Sequence, residues 1–279
     1  MRRRAILALA VALAAAAAFA HGPRASNDRD WSPPQSRLAR ATFAGDTVTI
    51  ENVRDFDHCP ESGPPIERWH AHALDLRALD SVWLVLSPFE RDNRGPAHPF
   101  LSFGFGDSAY VSISVEARRE RNEEYSIWRG MLGAYEIQYV VAEERDVIPL
   151  RVICRDDDVY LYPIRTSPER ARRLFEEMLA RANELADRPE LYHTIFKSCS
   201  STLLKHANRV TTKQIPGGWR VMLPGYSDEV VHAVGLIDEA GTMEEIRARS
   251  LVNDRVKRFA GAPDFSHRIR TTDPGLDDG

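Results

Sequence analysis

The run HPFLSFGFGDSAYVSISVE (98–116) decides how this chain is read. Apolar residues alternate with small or polar ones on both sides of Gly106-Asp107-Ser108, the pattern of two half-buried strands joined by a short connection. A three-residue loop there sets Phe105 opposite Ala109, so the numbers of facing residues sum to 214. Ser102 then faces Ser112, and Phe100 faces Ser114. Leu101, Phe103, Val111, Ile113 and Val115 share the opposite, core-facing side, because side chains alternate along a strand. The same register sets His98 opposite Glu116, with Cβ atoms roughly 4.5–5.5 Å apart. A carboxylate at that distance hydrogen-bonds an imidazole and fixes its tautomer and orientation.

The surroundings extend this pattern. Segments 47–53, 69–76, 81–87, 137–142, 148–154 and 159–162 read as further strands, and Asp156-Asp157-Asp158 as a solvated turn. After residue 166 the period changes. Ser167 caps a helix with Pro168 at its first position, and Ala171, Leu174, Phe175, Met178, Leu179, Ala182 and Leu185 fall on one face. A second helix runs from about Cys199 to Asn208. A third begins at the Thr242/Glu245 capping box and reaches about Phe259. Strands first and helices later indicate an α+β fold, an antiparallel sheet packed with helices.

The first twenty residues are of another kind. Arg2-Arg3-Arg4 precede an apolar run (5–20) ending Ala18-Phe19-Ala20, the layout of a secretory signal peptide; an uncleaved N-terminal anchor is the alternative. Residues 21–45 read as a polar linker or entry segment, 46–270 as the domain, and 271–279 as a loose tail. The whole chain carries 37 basic against 41 acidic residues, a charge of −4. Without the first twenty residues the charge is −7, since three arginines and no acid leave. That balance excludes a nucleic-acid surface, which needs a basic excess. Export makes the three cysteines informative: an odd count leaves at least one thiol outside an internal bridge. Cys59–Cys154 is the expected pair and Cys199 the remaining thiol.

Most motif matches fail on context. Gly104-Phe105-Gly106-Asp107-Ser108-Ala109 fits a dinucleotide fingerprint on paper, but a strand follows where a helix N-terminus must hold the pyrophosphate. His58, Cys59, His70 and His72 lack zinc spacing, and a half-exposed polar strand explains His70 and His72 equally well. No metal and no cofactor is assigned. Cys199 is different, because Ser198-Cys199-Ser200-Ser201 opens a helix whose dipole lowers a thiol pKa. With His98 as base and Glu116 as orienter it completes a Cys-His-acid arrangement; a buried structural cysteine is the competing reading.

Seven blocks carry a resemblance: SNDRDW (26–31), ENVRDFD (51–57), HPFLSFGFGD (98–107), SISVEARRER (112–121), YEIQYVVAEERD (135–146), LPGYSDEVVHAVGLID (223–238) and DFSHRIR (264–270). Together they resemble the Lnb N-terminal periplasmic domain family, which is similar to circularly permuted NlpC/papain-like thiol enzymes with His first, a polar orienter second and Cys last. The resemblance implies a permuted papain-like fold in the periplasm and acyl transfer through a cysteine thioester, as in a lipoprotein N-acyltransferase. It implies Cys199 as nucleophile, His98 as base and later acid, Glu116 as orienter, and the Cys199 N–H in an oxyanion hole. Partners are then lipoprotein or phospholipid acyl groups, with peripheral membrane contact and no nucleic acid; the oligomeric state is open. Tyr110, Trp128, Arg118 and Arg145 are candidates to line the site. Two other functions fit the same residues: a papain-like peptidoglycan amidase or peptidase, and a non-catalytic periplasmic binding or assembly domain.

Overall fold

The hairpin of residues 98–116 lies in the middle of a sheet. In a computed structural model, which describes residues 24–90, 93–106, 109–212, 214–237 and 240–271, eight strands form that sheet. They are β1 (Arg40–Ala44), β2 (Thr47–Arg54), β3 (Trp69–Asp75), β4 (Leu79–Glu90), β5 (Asn93–Phe105), β6 (Ala109–Arg118), β7 (Glu136–Glu143) and β8 (Tyr160–Pro163). The order is β1-β2-β7-β6-β5-β4-β8, and β3 pairs with β2. Pairing is antiparallel except where β2 meets β7 in parallel at Arg54↔Ala142. The helices are α1 (Ile127–Met131), α2 (Glu144–Pro149), α3 (Pro168–Asp187), α4 (Cys199–Val210), α5 (Trp219–Met222), α6 (Ser227–Ala233), α7 (Met243–Ser250), α8 (Asn253–Phe259) and α9 (Phe265–Arg268). The α+β class therefore holds. The expected signal segment 1–20 lies outside the described residues, as do positions 272–279 of the expected tail.

β5 and β6 pair in the expected register from Leu101↔Ile113 to Phe105↔Ala109. Gly106 supplies the left-handed φ of +60° that opens the turn. Beyond Leu101 the two strands part. β5 continues only against β4, through Leu86↔Pro99 and Ser87↔His98, while β6 continues against β7 through Glu116↔Gln138. Pro99 has no N–H to give a ladder. The result is an opening in the sheet between β5 and β6, with His98 on one lip and Glu116 on the other.

Each face of the sheet has its own core. Leu101, Phe103, Val111, Ile113 and Val115 pack against α3 and Leu203 of α4. Helix α3 begins with the Ser167 hydroxyl accepting the Arg170 N–H, and its buried residues are the seven that the periodicity selects. The other face is not solvated. Phe100, Val85 and Val140 pack under Val147, Ile148 and Val152, with Val256, Phe265 and Ile269 beside them, so Ser102, Ser112 and Ser114 are fully buried.

Three expectations change. Residues 148–154 form no strand. Helix α2, with Glu144 and Asp146 in its first turn, runs into a π-helical turn, Leu150–Cys154. Acidic residues favour that helix start, and Pro149 removes a backbone donor just where the helix widens. The third expected helix is two, α7 and α8, because the chain dips between them: Leu251 bridges to Tyr160 and the Val252 N–H donates to the Val159 carbonyl at 3.0 Å. Residues 21–45 are no linker where described, since Trp31 and Gln35 are buried and Arg40–Ala44 pairs with β2.

Cys59 and Cys154 form a disulfide across 95 residues, and Cys199 is free. Closing so long a loop removes conformational freedom from the unfolded chain. Cys59→Ser or Cys154→Ser is expected to lower unfolding free energy by about 2–4 kcal/mol, read from denaturant titration of oxidised protein against the Cys199→Ser control.

Candidate active site

His98 and Glu116 are coupled, but through a residue that sequence reasoning missed. His98 Nε2 lies 2.7 Å from Ser114 Oγ, and the Ser114 hydroxyl donates to Glu116 Oε1 at 3.0 Å. The direct His98–Glu116 separation is 4.0 Å. A serine hydroxyl has one proton, and an ionised carboxylate can only accept. With that proton given to Glu116, His98 must donate its Nε2–H to Ser114, leaving Nδ1 unprotonated as the basic nitrogen. Ser114 therefore contacts the imidazole directly, and Glu116 reaches it through the Ser114 hydroxyl. The signal was present in the sequence: Ser114 shares a strand face with Glu116 and stands two residues away.

Glu116 is held from several sides. The Gln35 amide donates to Oε2 at 2.9 Å. Burial alone would raise this carboxyl, but Arg54, His98 and Arg151 together with the Gln35 hydrogen bond hold it down at about 2. Arg54 forms a bidentate pair with Asp146, which also accepts from the Phe56 N–H and contacts His58 Nε2 at 3.0 Å. Arg151 is buried on the π-helical turn, 4.7 Å over the Phe100 ring, with Nη1 donating to the Val147 carbonyl. Its Nε has no hydrogen-bond partner among the described residues. Sequence reading could not place it, because it assigned this turn to a strand.

Cys199 stands at the first position of α4. Ser198 and Ser201 form a reciprocal capping box around it. The thiol is half-buried and packs against the α3 side of the core. Burial pushes it up to about 12; the Ser200 and Cys199 N–H groups oppose that, Glu116 adds to it and Arg151 opposes it. The helix N-terminus thus faces the sulfur as expected, yet desolvation outweighs it, and the resting group is a thiol. Burial, reinforced by Arg151, drives His98 down to about 3 against the pull of Glu116. Both partners are neutral at pH 7. Among the described residues no hydrogen bond joins Cys199 to His98: the structure couples His98 to Glu116 and brings the thiol within the electrostatic reach of Glu116 and Arg151.

A narrow apolar pocket with about 120 Å³ of water-accessible space opens beside these groups. Pro99 and Ser200, the neighbours of His98 and Cys199, both line it, and Leu101, Leu203, Ala207 and Leu236 continue it inward. The other expected lining residues lie elsewhere. Arg118 stacks on Trp31, Tyr110 lies under Arg270, Arg145 pairs with Asp55 and Trp128 projects into solvent from α1.

The family described as Lnb N-terminal periplasmic domain matches residues 66–225. The chain belongs to this family. The matched span contains His98, Ser114, Glu116, Arg151 and Cys199 but is shorter than the 26–270 spanned by the sequence blocks. Comparisons with curated proteins and with solved structures return no match. Among the described residues no helix is long and apolar enough to cross a membrane.

The charge arrangement has a measurable consequence. An unfolded imidazole binds its proton near pH 6.5, whereas folded His98 binds one only near 3. Between those values the unfolded chain holds more protons, so stability falls as pH drops below about 6.5. Arg151→Met removes one cause of the depression. In ring-proton NMR titrations the His98 midpoint is expected to move upward in that variant, and an unchanged midpoint would refute the assignment.

Proposed function

We propose that this protein is an exported, cysteine-dependent acyl-transfer enzyme acting on a long-chain acyl donor through a circularly permuted papain-like site. The observation that carries the reading is the apolar pocket that begins at Pro99 and Ser200. A peptide-cleaving site would offer polar backbone partners at that position; this one offers aliphatic side chains, which suit an acyl chain. The disulfide fits the oxidising periplasm implied by the family and by residues 1–20.

The steps follow from the side chains. Cys199 Sγ attacks the acyl carbonyl of an ester while His98 Nδ1 takes the thiol proton. Because both groups start neutral, proton transfer accompanies C–S bond formation instead of preceding it. The N–H groups of Cys199 and Ser200 meet the developing oxyanion. His98 returns the proton to the leaving alkoxide as the C–O bond breaks, and a thioester remains on Cys199. An acceptor amine, in this reading a lipoprotein N-terminus, then attacks the thioester. His98 takes the amine proton and gives it to the departing thiolate, yielding an amide and free Cys199.

The surroundings suit a lipid substrate. Ile127, Trp128, Leu132, Phe196, Trp219 and Met222 are exposed large apolar side chains. Helix α1 is tied to the segment before Cys199 by the Thr194 hydroxyl, which donates to the Ile127 carbonyl. Ser200 holds α5 by donating to the Val221 carbonyl. Such a rim fits a peripheral membrane contact that delivers the donor.

Incubation with diacyl phospholipid is expected to leave a hydroxylamine-sensitive acyl adduct on Cys199, absent in Cys199→Ala and reduced about 10²–10⁴-fold in His98→Ala. Ala207→Trp fills the pocket and is expected to suppress long-chain donors while sparing short-chain esters. Release of peptide fragments from peptidoglycan without any adduct would establish the amidase reading, and neither activity would leave the binding-domain reading. Trp128→Ser with Leu132→Ser is expected to reduce cosedimentation with phospholipid vesicles.

A further inference from the structure

Of the four residues His58, Cys59, His70 and His72, the structure removes two from any metal site. His58 contacts Asp146 and Cys59 is in the disulfide. His70 and His72 remain together on one face of β3, with ring centroids 5.9 Å apart. The fold then adds a residue that no sequence spacing reveals. β2 shifts register with β3 between Ile50 and Val53, at Asn52 with its left-handed φ of 59°, and reaches β7 at Arg54↔Ala142. This carries the start of β3 to Glu143, the last residue of β7.

Glu143 Oε1 sits between the two imidazoles, 3.0 Å from His70 Nε2 and 3.5 Å from His72 Nδ1. One ligand atom from each residue lies within 4.8 Å of the others. His72 Nδ1 is buried and makes no hydrogen bond among the described residues, and the neighbouring Arg145 guanidinium is taken by Asp55. Tetrahedral zinc, with bonds of about 2.0–2.2 Å, keeps its ligand atoms roughly 3.3 Å apart. The two measured oxygen–nitrogen separations bracket that value. Two imidazole nitrogens and one carboxylate oxygen suit zinc and similar first-row cations; calcium and magnesium favour all-oxygen sets.

We propose that His70, His72 and Glu143 bind a zinc-class divalent cation with one coordination position open to solvent, clipping β3 to β7. Among the described residues β3 otherwise belongs to the sheet only through β2. The site is separate from the thiol chemistry: Glu143 lies five positions along β7 from Gln138, the partner of Glu116, or roughly 17 Å of strand.

The test uses tag-free protein stripped with chelator, titrated with Zn²⁺ by calorimetry and with Co²⁺ by absorption. One equivalent of Zn²⁺ is expected, with a rise in Tm and intense tetrahedral-type Co²⁺ bands. His72→Ala and Glu143→Gln should each weaken binding by about tenfold or more, and Cys199→Ala should leave it unchanged. Hydrogen exchange gives a readout independent of the stability of any variant: Zn²⁺ should slow exchange across residues 69–75 in the parent protein but not in Glu143→Gln. Absence of stoichiometric binding, parent-level affinity in both ligand variants, or loss of binding only in Cys199→Ala would each overturn the proposal.

Discussion

A carboxylate kept ionised largely out of water organises this molecule around its sheet opening. An unpaired buried charge costs several kcal/mol, and Glu116 is never left unpaired. Gln35 and Ser114 give it hydrogen bonds, and Arg54 and Arg151 give it positive charge. Arg54 in turn is bound by Asp146, which His58 and the Phe56 N–H hold. Two carboxylates and two guanidiniums thus balance in a contiguous chain. The chain explains why residues as distant as Gln35 and Arg151 are buried together, and why the face of the sheet carrying Ser102, Ser112 and Ser114 needed a second core to cover it.

The two faces divide the work of the site. One supplies charge: His98, Ser114, Glu116 and Arg151 in a compact polar cluster. The other supplies space: the aliphatic pocket between the sheet and α4. The strands between them separate beyond Leu101↔Ile113, and the thiol at the start of α4 lies within electrostatic reach of Glu116 and Arg151. A continuous ladder through Pro99 would have sealed the two halves from each other.

That same separation marks the limit of what the sequence makes legible. Alternation around Gly106 contains the hairpin register, and with it the proximity of His98 to Glu116. It does not contain the parting of the strands, so a direct contact was expected where Ser114 in fact intervenes. Arg151 stayed hidden because Val152 and Ile153 have strand propensity, while burial under the sheet and the acidic start at Glu144 make the segment helical. Gln35 stayed hidden because a polar, proline-containing stretch carries no periodicity even when tertiary contacts bury it. The break before Asn253 depends on Val159, some 90 residues earlier, and no local signal reports so distant a partner. The thiol shows a contest of magnitudes: the helix N-terminus was correctly placed, but desolvation outweighs it.

The Cys59–Cys154 bridge acquires a further meaning from its position. One end closes the π-helical turn that carries Arg151, and the other follows His58, so the bridge spans the two extremities of the charge chain. In a reducing interior these are two free thiols and the turn is untethered. Oxidation is therefore an assembly step for the electrostatics of the site as well as for the fold. Reduction of the bridge would loosen the charge chain at both of its ends, and with it the hold on the Glu116 carboxylate.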